Sequence, residues 1–234
     1  MPVIRKSKTP TLLCILYVLL GACAAPEESV RPGVNQEYQD TPLATWEERF
    51  EAESREIYRE REKIARAAGV REGMKVADIG AGTGIFVETF STAVGASGHV
   101  YAGDIKPEFL EKIERDARGR DLKNVTTVLG AERSANLPAR SIDLAFVCDT
   151  YHHFEFPRSM LASIRRALKP GGTLVVVDFE RVPGKSRQWT LDHVRAGKDE
   201  IIREIEAAGF DLVDQPPTPF LAENFLLRFR KKGL

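Results

Sequence analysis

The 234-residue chain predicts an α/β fold: a seven-stranded, mostly parallel sheet with helices on both faces and an antiparallel last strand. Three observations predict it. Apolar runs of five to seven residues alternate with helical stretches, the pattern of parallel strands joined by right-handed crossovers. The run Val76-Ala77-Asp78-Ile79 breaks into Gly80-Ala81-Gly82-Thr83-Gly84, a loop whose alternate glycines permit positive φ and close approach of a ligand. Residues 173–179 form an unbroken run rich in β-branched side chains, as expected of a central strand buried on both faces.

The elements follow in order. Residues 41–68 space Trp46, Phe50, Ile57, Ile64 and Ala68 near helical intervals among dense charge, which predicts one or two amphipathic helices covering the sheet edge. After the first strand and its glycine loop, residues 85–90 have helical spacing, so the loop feeds a helix whose free N–H groups face a ligand. A second strand over 99–105 ends in Asp104, 24 residues after Gly80, where a carboxylate can accept hydrogen bonds from both hydroxyls of a ribose. Pro107 suits the first turn of a helix running to about residue 120. A third strand, 124–129, leads to Gly130-Ala131-Glu132, and a fourth, 142–148, ends in Asp149-Thr150-Tyr151-His152-His153. A helix over 157–168 is stopped by Lys169-Pro170-Gly171-Gly172 before the fifth strand. Residues 198–208 read as a helix closed by Gly209, and 210–214 as strand six. Beyond a proline-rich turn, 223–230 alternates Phe225, Leu227 and Phe229 with polar partners, an antiparallel final strand. About 190 residues suit one domain with a single substantial core.

The spacing of the loop separates two nucleotide readings. A dinucleotide fingerprint, G-x-G-x-x-G, would place its third glycine at Ile85; here it comes one residue early, at Gly84, with Asp78 two before the first. Asp-x-Gly-x-Gly-x-Gly resembles the first motif of the class I S-adenosylmethionine-dependent methyltransferases, and the acids and strand ends that follow extend the resemblance over about residues 45–231. The resemblance implies a Rossmann-like fold and S-adenosyl-L-methionine as cofactor. It places Asp78, Gly80, Ala81, Gly82, Thr83 and Gly84 in the cofactor cradle, Asp104 and Ile105 at the ribose, and Cys148 at the end of strand four. Similar enzymes carry an acid near Ala131 for the adenine amino group; this chain has Ala131 with Glu132 beside it, a departure from the pattern. In similar methyltransferases the helices matching 41–68 lie over the cofactor, which puts Arg55 and Tyr58 near the pocket.

Methyl transfer from a sulfonium is an in-line displacement, so the protein must chiefly align donor and acceptor and exclude water. Any base belongs at the carboxyl edge of the sheet after strand four, where Asp149, Tyr151, His152 and His153 stand; a histidine titrates near neutrality. The structural alternative is a histidine pair serving as a cap or packed ring. His193, in the segment after strand five, is a third candidate. No metal is expected, since adjacent side chains diverge and no H-x-x-x-H or cysteine cluster supplies further ligands. The acceptor is left among small molecules, quinone-like lipids and protein side chains; an N-P-P-Y signature of amino-methylating nucleic-acid enzymes is absent, and Cys148 alone does not make an arsenite site. Two rival functions stand beside methyl transfer: a lipid-anchored module binding the cofactor or a related nucleoside without turnover, and a nucleotide-dependent oxidoreductase, which Ile85 disfavours.

The amino terminus reads differently. Arg5, Lys6 and Lys8 precede an apolar stretch over 11–20 and Leu20-Gly21-Ala22-Cys23, resembling a bacterial lipoprotein signal. The expected organisation is a signal peptide over 1–22, a flexible tether over 23–44 with Cys23 lipidated, and the catalytic domain over 45–234, held at a membrane in the cell envelope on the periplasmic side. Export conflicts with a cofactor made in the cytosol. Without the signal, 31 basic and 34 acidic residues remain, and no basic stripe interleaved with aromatics favours nucleic acid. Oligomeric state is left open.

Overall fold

The computed structural model describes residues 26–52 and 55–233. The predicted leader and Cys23 lie outside them, and no helix among the described residues is long and apolar enough to cross a membrane.

Before the sheet come α1 (Gln36–Asp40), α2 (Leu43–Phe50), α3 (Glu56–Arg59) and α4 (Arg61–Ala68). The parallel part of the sheet alternates β1 (Lys75–Ile79), α5 (Val87–Val94), β2 (His99–Asp104), α6 (Pro107–Gly119), β3 (Val125–Leu129), β4 (Ile142–Cys148), α7 (Pro157–Ala167) and β5 (Leu168–Phe179). Then follow α8 (Gln188–His193), α9 (Lys198–Ala207), β6 (Phe210–Asp214) and β7 (Asn224–Lys231). The seven strands lie in the order β3-β2-β1-β4-β5-β7-β6, with β7 antiparallel to both neighbours. The predicted Rossmann-like α/β sheet is the fold observed.

Strand alternation sends successive side chains to opposite faces, and because both faces are covered, both alternating sets are apolar. Ala145 and Val147 of β4 and Leu174 and Val176 of β5 pack with Leu161, Ile164, Ile201 and Ile205 of α7 and α9. Leu144, Phe146, Val175 and Val177 pack on the other face with Ile64 of α4 and Phe90 and Val94 of α5. β5 is longer than the predicted 173–179: α7 runs directly into Leu168, which pairs with Ile142, and Lys169-Pro170-Gly171-Gly172 bulges before Thr173 resumes the ladder opposite Leu144. β1 sits between β2 and β4, so the crossovers diverge at its carboxyl end and open a crevice there.

The main departure is the stretch predicted to be a flexible tether. Residues 26–44 lie on the domain as a strap. The Glu27 carboxylate accepts the Arg158 and Ser159 backbone N–H groups, at 2.8 and 2.7 Å, and so caps the first turn of α7. Lys106, 4% exposed, donates its ammonium to the carbonyls of Gln39 and Thr41 at 2.7 and 2.6 Å, the favoured place for a cation at the end of α1. Composition misleads here because the strap is held by polar bonds to helix ends and to a buried lysine, not by an apolar stripe.

Candidate functional site

The crevice is a cavity of about 830 Å³, lined from the glycine loop at one end to three histidines at the other. At the first end, Gly80, Gly82 and Gly84 have φ of 78°, 54° and 89°, the left-handed region that favours glycine. Their reasons differ. A Cβ on Gly80 would stand 2.3 Å from Thr150 Cγ2, and one on Gly84 2.8 Å from Ile113 Cγ1, so the fold itself excludes side chains at both. Gly84 does not line the cavity; Gly82 does, with the Phe50 ring 3.4 Å from where a Cβ on it would stand. Of the residues expected at the cofactor, Asp78, Ala81, Thr83, Ile105, Ala131, Glu132 and Cys148 also line it.

Two buried carboxylates dominate this end. Asp104 accepts the Gly82 N–H, the Lys106 N–H and the Tyr38 hydroxyl, each at 2.9 Å. Burial still raises its carboxyl above the usual range against those bonds. Asp78, also buried, is pushed up to about 8 by desolvation and by the charge of Asp104. Asp78 Oδ2 and Thr83 Oγ1 are buried without a protein hydrogen-bond partner. Burial and the neighbouring Asp149 charge raise the Cys148 thiol well above its usual range, which disfavours the thiolate.

At the far end the 3-10 turn Tyr151–His153 follows β4, and its residues part company. Tyr151 does not line the cavity. It is fully buried on the α9 side, its hydroxyl donating to Glu204 at 2.8 Å and its ring under Arg195, and burial drives its phenol far above the ordinary range. Asp149, at φ 47°, pairs with Arg55 and accepts the Asn224 amide at 2.6 Å, with burial raising its carboxyl. It anchors the helices before the sheet to β7. Arg55 lines the cavity, whereas Tyr58 lies in a separate groove.

His152 and His153 do line it. His152 Nδ1 lies 2.8 Å from Asp178 Oδ1; a carboxylate only accepts, so Nδ1 carries the hydrogen and Nε2 is free. His153 Nε2 lies 3.3 Å from His193 Nε2. The ring centroids of His152 and His153 are 4.4 Å apart, so the expectation that adjacent side chains diverge fails: Asp178 draws one ring inward and the other packs against it. Desolvation and the neighbouring histidines hold His153 well below its ordinary value and His193 at about 4, so both rings are neutral at pH 7. Phe179 and Trp189 wall this end, with Trp189 stacked on His193 at 4.5 Å.

Sequence reasoning missed the strap's part in the site. Tyr38 reaches Asp104; Asn35 donates to the His153 carbonyl at 3.3 Å; Arg31 donates to the carbonyls of Asp192 and His193 and so holds α8. Asp178 carried a signal, being the lone acid in the apolar run 173–179. Nothing in the sequence around Tyr38 points to Asp104.

Comparison with known proteins agrees with this geometry. Residues 77–176 match the family model described as a methyltransferase domain. The chain is 39% identical over 120 residues to the ubiquinone/menaquinone biosynthesis C-methyltransferase UbiE of Bordetella parapertussis, covering 51% of this chain and 45% of that protein. To the protein of the same name from Shewanella pealeana it is 32% identical over 116 residues, covering 49% and 46%. The chain therefore spans about half the length of the relatives it matches. In fold it is similar to a SAM-dependent methyltransferase from Aquifex aeolicus, with a TM-score of 0.72, 24% identity, and coverage of 82% of this chain and 99% of that one. The cradle fits the cofactor that the resemblance implies: the unpartnered Asp78 oxygen offers an acceptor to a cationic ammonium, and Asp104 a buried carboxylate beside the cavity.

Proposed function

From the premise that residues 77–176 form a methyltransferase domain with S-adenosylmethionine as its cofactor, we propose that the chain transfers a methyl group to a small, planar, hydroxylated ring of the quinol type. The observation that carries the reading is the continuity of one cavity from the Asp78–Asp104 cradle to neutral histidines walled by Phe179 and Trp189. The UbiE relatives, ubiquinone/menaquinone biosynthesis C-methyltransferases by name, support the same acceptor class.

The bound cofactor supplies an activated methyl carbon on a sulfonium. Asp104, held in place by the Gly82 N–H, orients the nucleoside, and Asp78 receives positive charge. Phe179 and Trp189, in edge contact with each other, offer an aromatic wall to a ring and exclude water. A hydroxylated ring must lose a proton as its carbon is methylated, and His153 or His193, neutral at pH 7, accepts it. Tyr151, turned to Glu204, is away from the acceptor, and Asp149 holds Arg55 and Asn224 at the cavity wall.

The leader and Cys23 further propose an exported, lipidated protein acting at a membrane, where a quinol-type lipid would be met. Cys23→Ser should then release the chain from membranes; unchanged fractionation would count against lipidation. Calorimetry should give micromolar binding of S-adenosylhomocysteine, weakened at least about tenfold, or about 1.4 kcal/mol, by Asp104→Ala. Labelled methyl donor with quinol-type lipids should give labelled lipid. Nucleoside binding without any labelled product would favour the second reading, a binding module without turnover, which the conflict between export and a cytosolic cofactor motivates.

A further inference from the structure

We propose that His152, His153 and His193 form a binding site for one divalent transition-metal ion, zinc above all, at the far end of the cavity. Among the described residues they are a group of three side chains whose candidate ligand atoms all lie within 4.8 Å of one another. Tetrahedral zinc holds imidazole nitrogens at about 2.0–2.1 Å, which places two of them about 3.3 Å apart. The His153 and His193 Nε2 atoms stand at 3.3 Å, and the His152 ligand atom lies within 4.8 Å of the other two. Ring packing alone would not require the nitrogen atoms to converge.

The surroundings add a second, independent feature. Asp178, fully buried in β5, accepts from His152 Nδ1 and from the His152 backbone N–H, at 2.8 and 3.2 Å. That is the carboxylate–histidine arrangement that fixes the tautomer of a metal ligand and points Nε2 at the ion. Arg31 is a cation near His193, but its guanidinium is spent on the carbonyls at the end of α8, and the carboxylates of Asp178 and Glu37 oppose it. Three imidazoles leave the fourth position of a tetrahedral ion open, as in catalytic rather than structural sites. That position would be open to the cavity the histidines line, where an oxygen of the acceptor would bind. With the ion bound, His153 and His193 hold metal instead of taking the acceptor's proton, and the ion itself would acidify a bound hydroxyl; the metal site does not depend on methyl transfer and would equally serve a module that binds without turnover.

The test uses the full chain, purified without a polyhistidine tag, stripped with chelator and titrated with zinc and with cobalt(II) alone. One saturable equivalent of zinc and the absorption of tetrahedral cobalt(II) are expected. His193→Ala, on the outer helix α8, should abolish the cobalt spectrum, and His193→Cys should recover zinc binding. Asp178→Asn should weaken zinc affinity by about 10–100-fold. No saturable binding, or a cobalt spectrum unchanged in His193→Ala, would overturn the site. S-adenosylhomocysteine binding by the unaltered chain reports the opposite end of the cavity: its presence without saturable zinc binding overturns the metal site and leaves the cofactor reading standing.

Discussion

At the glycine-loop end of the cavity the polar groups on Asp104 and its loop come largely from one stretch, residues 78–106. At the histidine end they come from four: the strap at 31–38, the turn after β4, Asp178 in β5, and His193 in α8. The first end is a local device, a strand breaking into a loop whose backbone and two acids make the cradle. The second is assembled across a long range and is held by the strap that also reaches the first. Tyr38 and Lys106 join the two, one bonding Asp104 and the other fastening α1. The difference teaches that a local cradle tolerates little change at its own residues, whereas the assembled end depends on groups far from it.

Ways to break this contrast begin with Gly80→Ala. The added methyl meets Thr150 at 2.3 Å in a backbone of positive φ, so stability should fall by about 2–4 kcal/mol in chemical denaturation. Thr150→Ala should recover only the steric part, leaving the backbone strain; full recovery would show that the loop is not conformationally constrained. Next, Lys106→Met removes a buried cation from the end of α1 and should cost about 3 kcal/mol of strap attachment. Amide exchange should accelerate across residues 36–40 and at the His193 end while β4 stays protected; equal acceleration in β4 would mean the strap is integral to the core.

Smaller effects sharpen the comparison. Tyr38→Phe removes one of three donors to Asp104 and should lower stability by about 1 kcal/mol, less than the effect of Lys106→Met. The pH dependence comes from Asp78. Its carboxyl is raised to about 8 in the free protein, so it is protonated at pH 7 and must ionise to receive a cation. Cofactor binding at pH 7 should therefore release a proton, seen as a heat that varies with buffer ionisation, and affinity should rise with pH until it levels near 8. Asp78→Asn should abolish that release. The same raised value contributes stability present below the ordinary carboxyl range and lost as pH climbs towards 8.

Legibility in the sequence divided along the same line. Asp78, Gly80, Gly82 and Asp104 were readable because a strand ending in an acid and a glycine loop are local patterns with a local cause. Gly84 was readable as a constraint but misassigned in role, because the Ile113 side chain that fills its space comes from α6. Tyr151 was placed at the site by its neighbours, and only packing revealed that the 3-10 turn sends it to Glu204 instead. The strap was read as a tether because its attachments, Glu27 to α7 and Lys106 to α1, join residues more than sixty positions apart.

The sequence by itself determined the α/β alternation, the sheet with its antiparallel final strand, and the cradle, since each follows from periodicity, glycine placement or an acid at a strand end. Tertiary structure alone decided that His152, His153 and His193 converge, that Asp178 stands behind them, and that residues 26–44 close over the site. The reason is physical: hydrogen bonds between distant polar groups leave no period in the chain, whereas burial of one face of a strand or helix does.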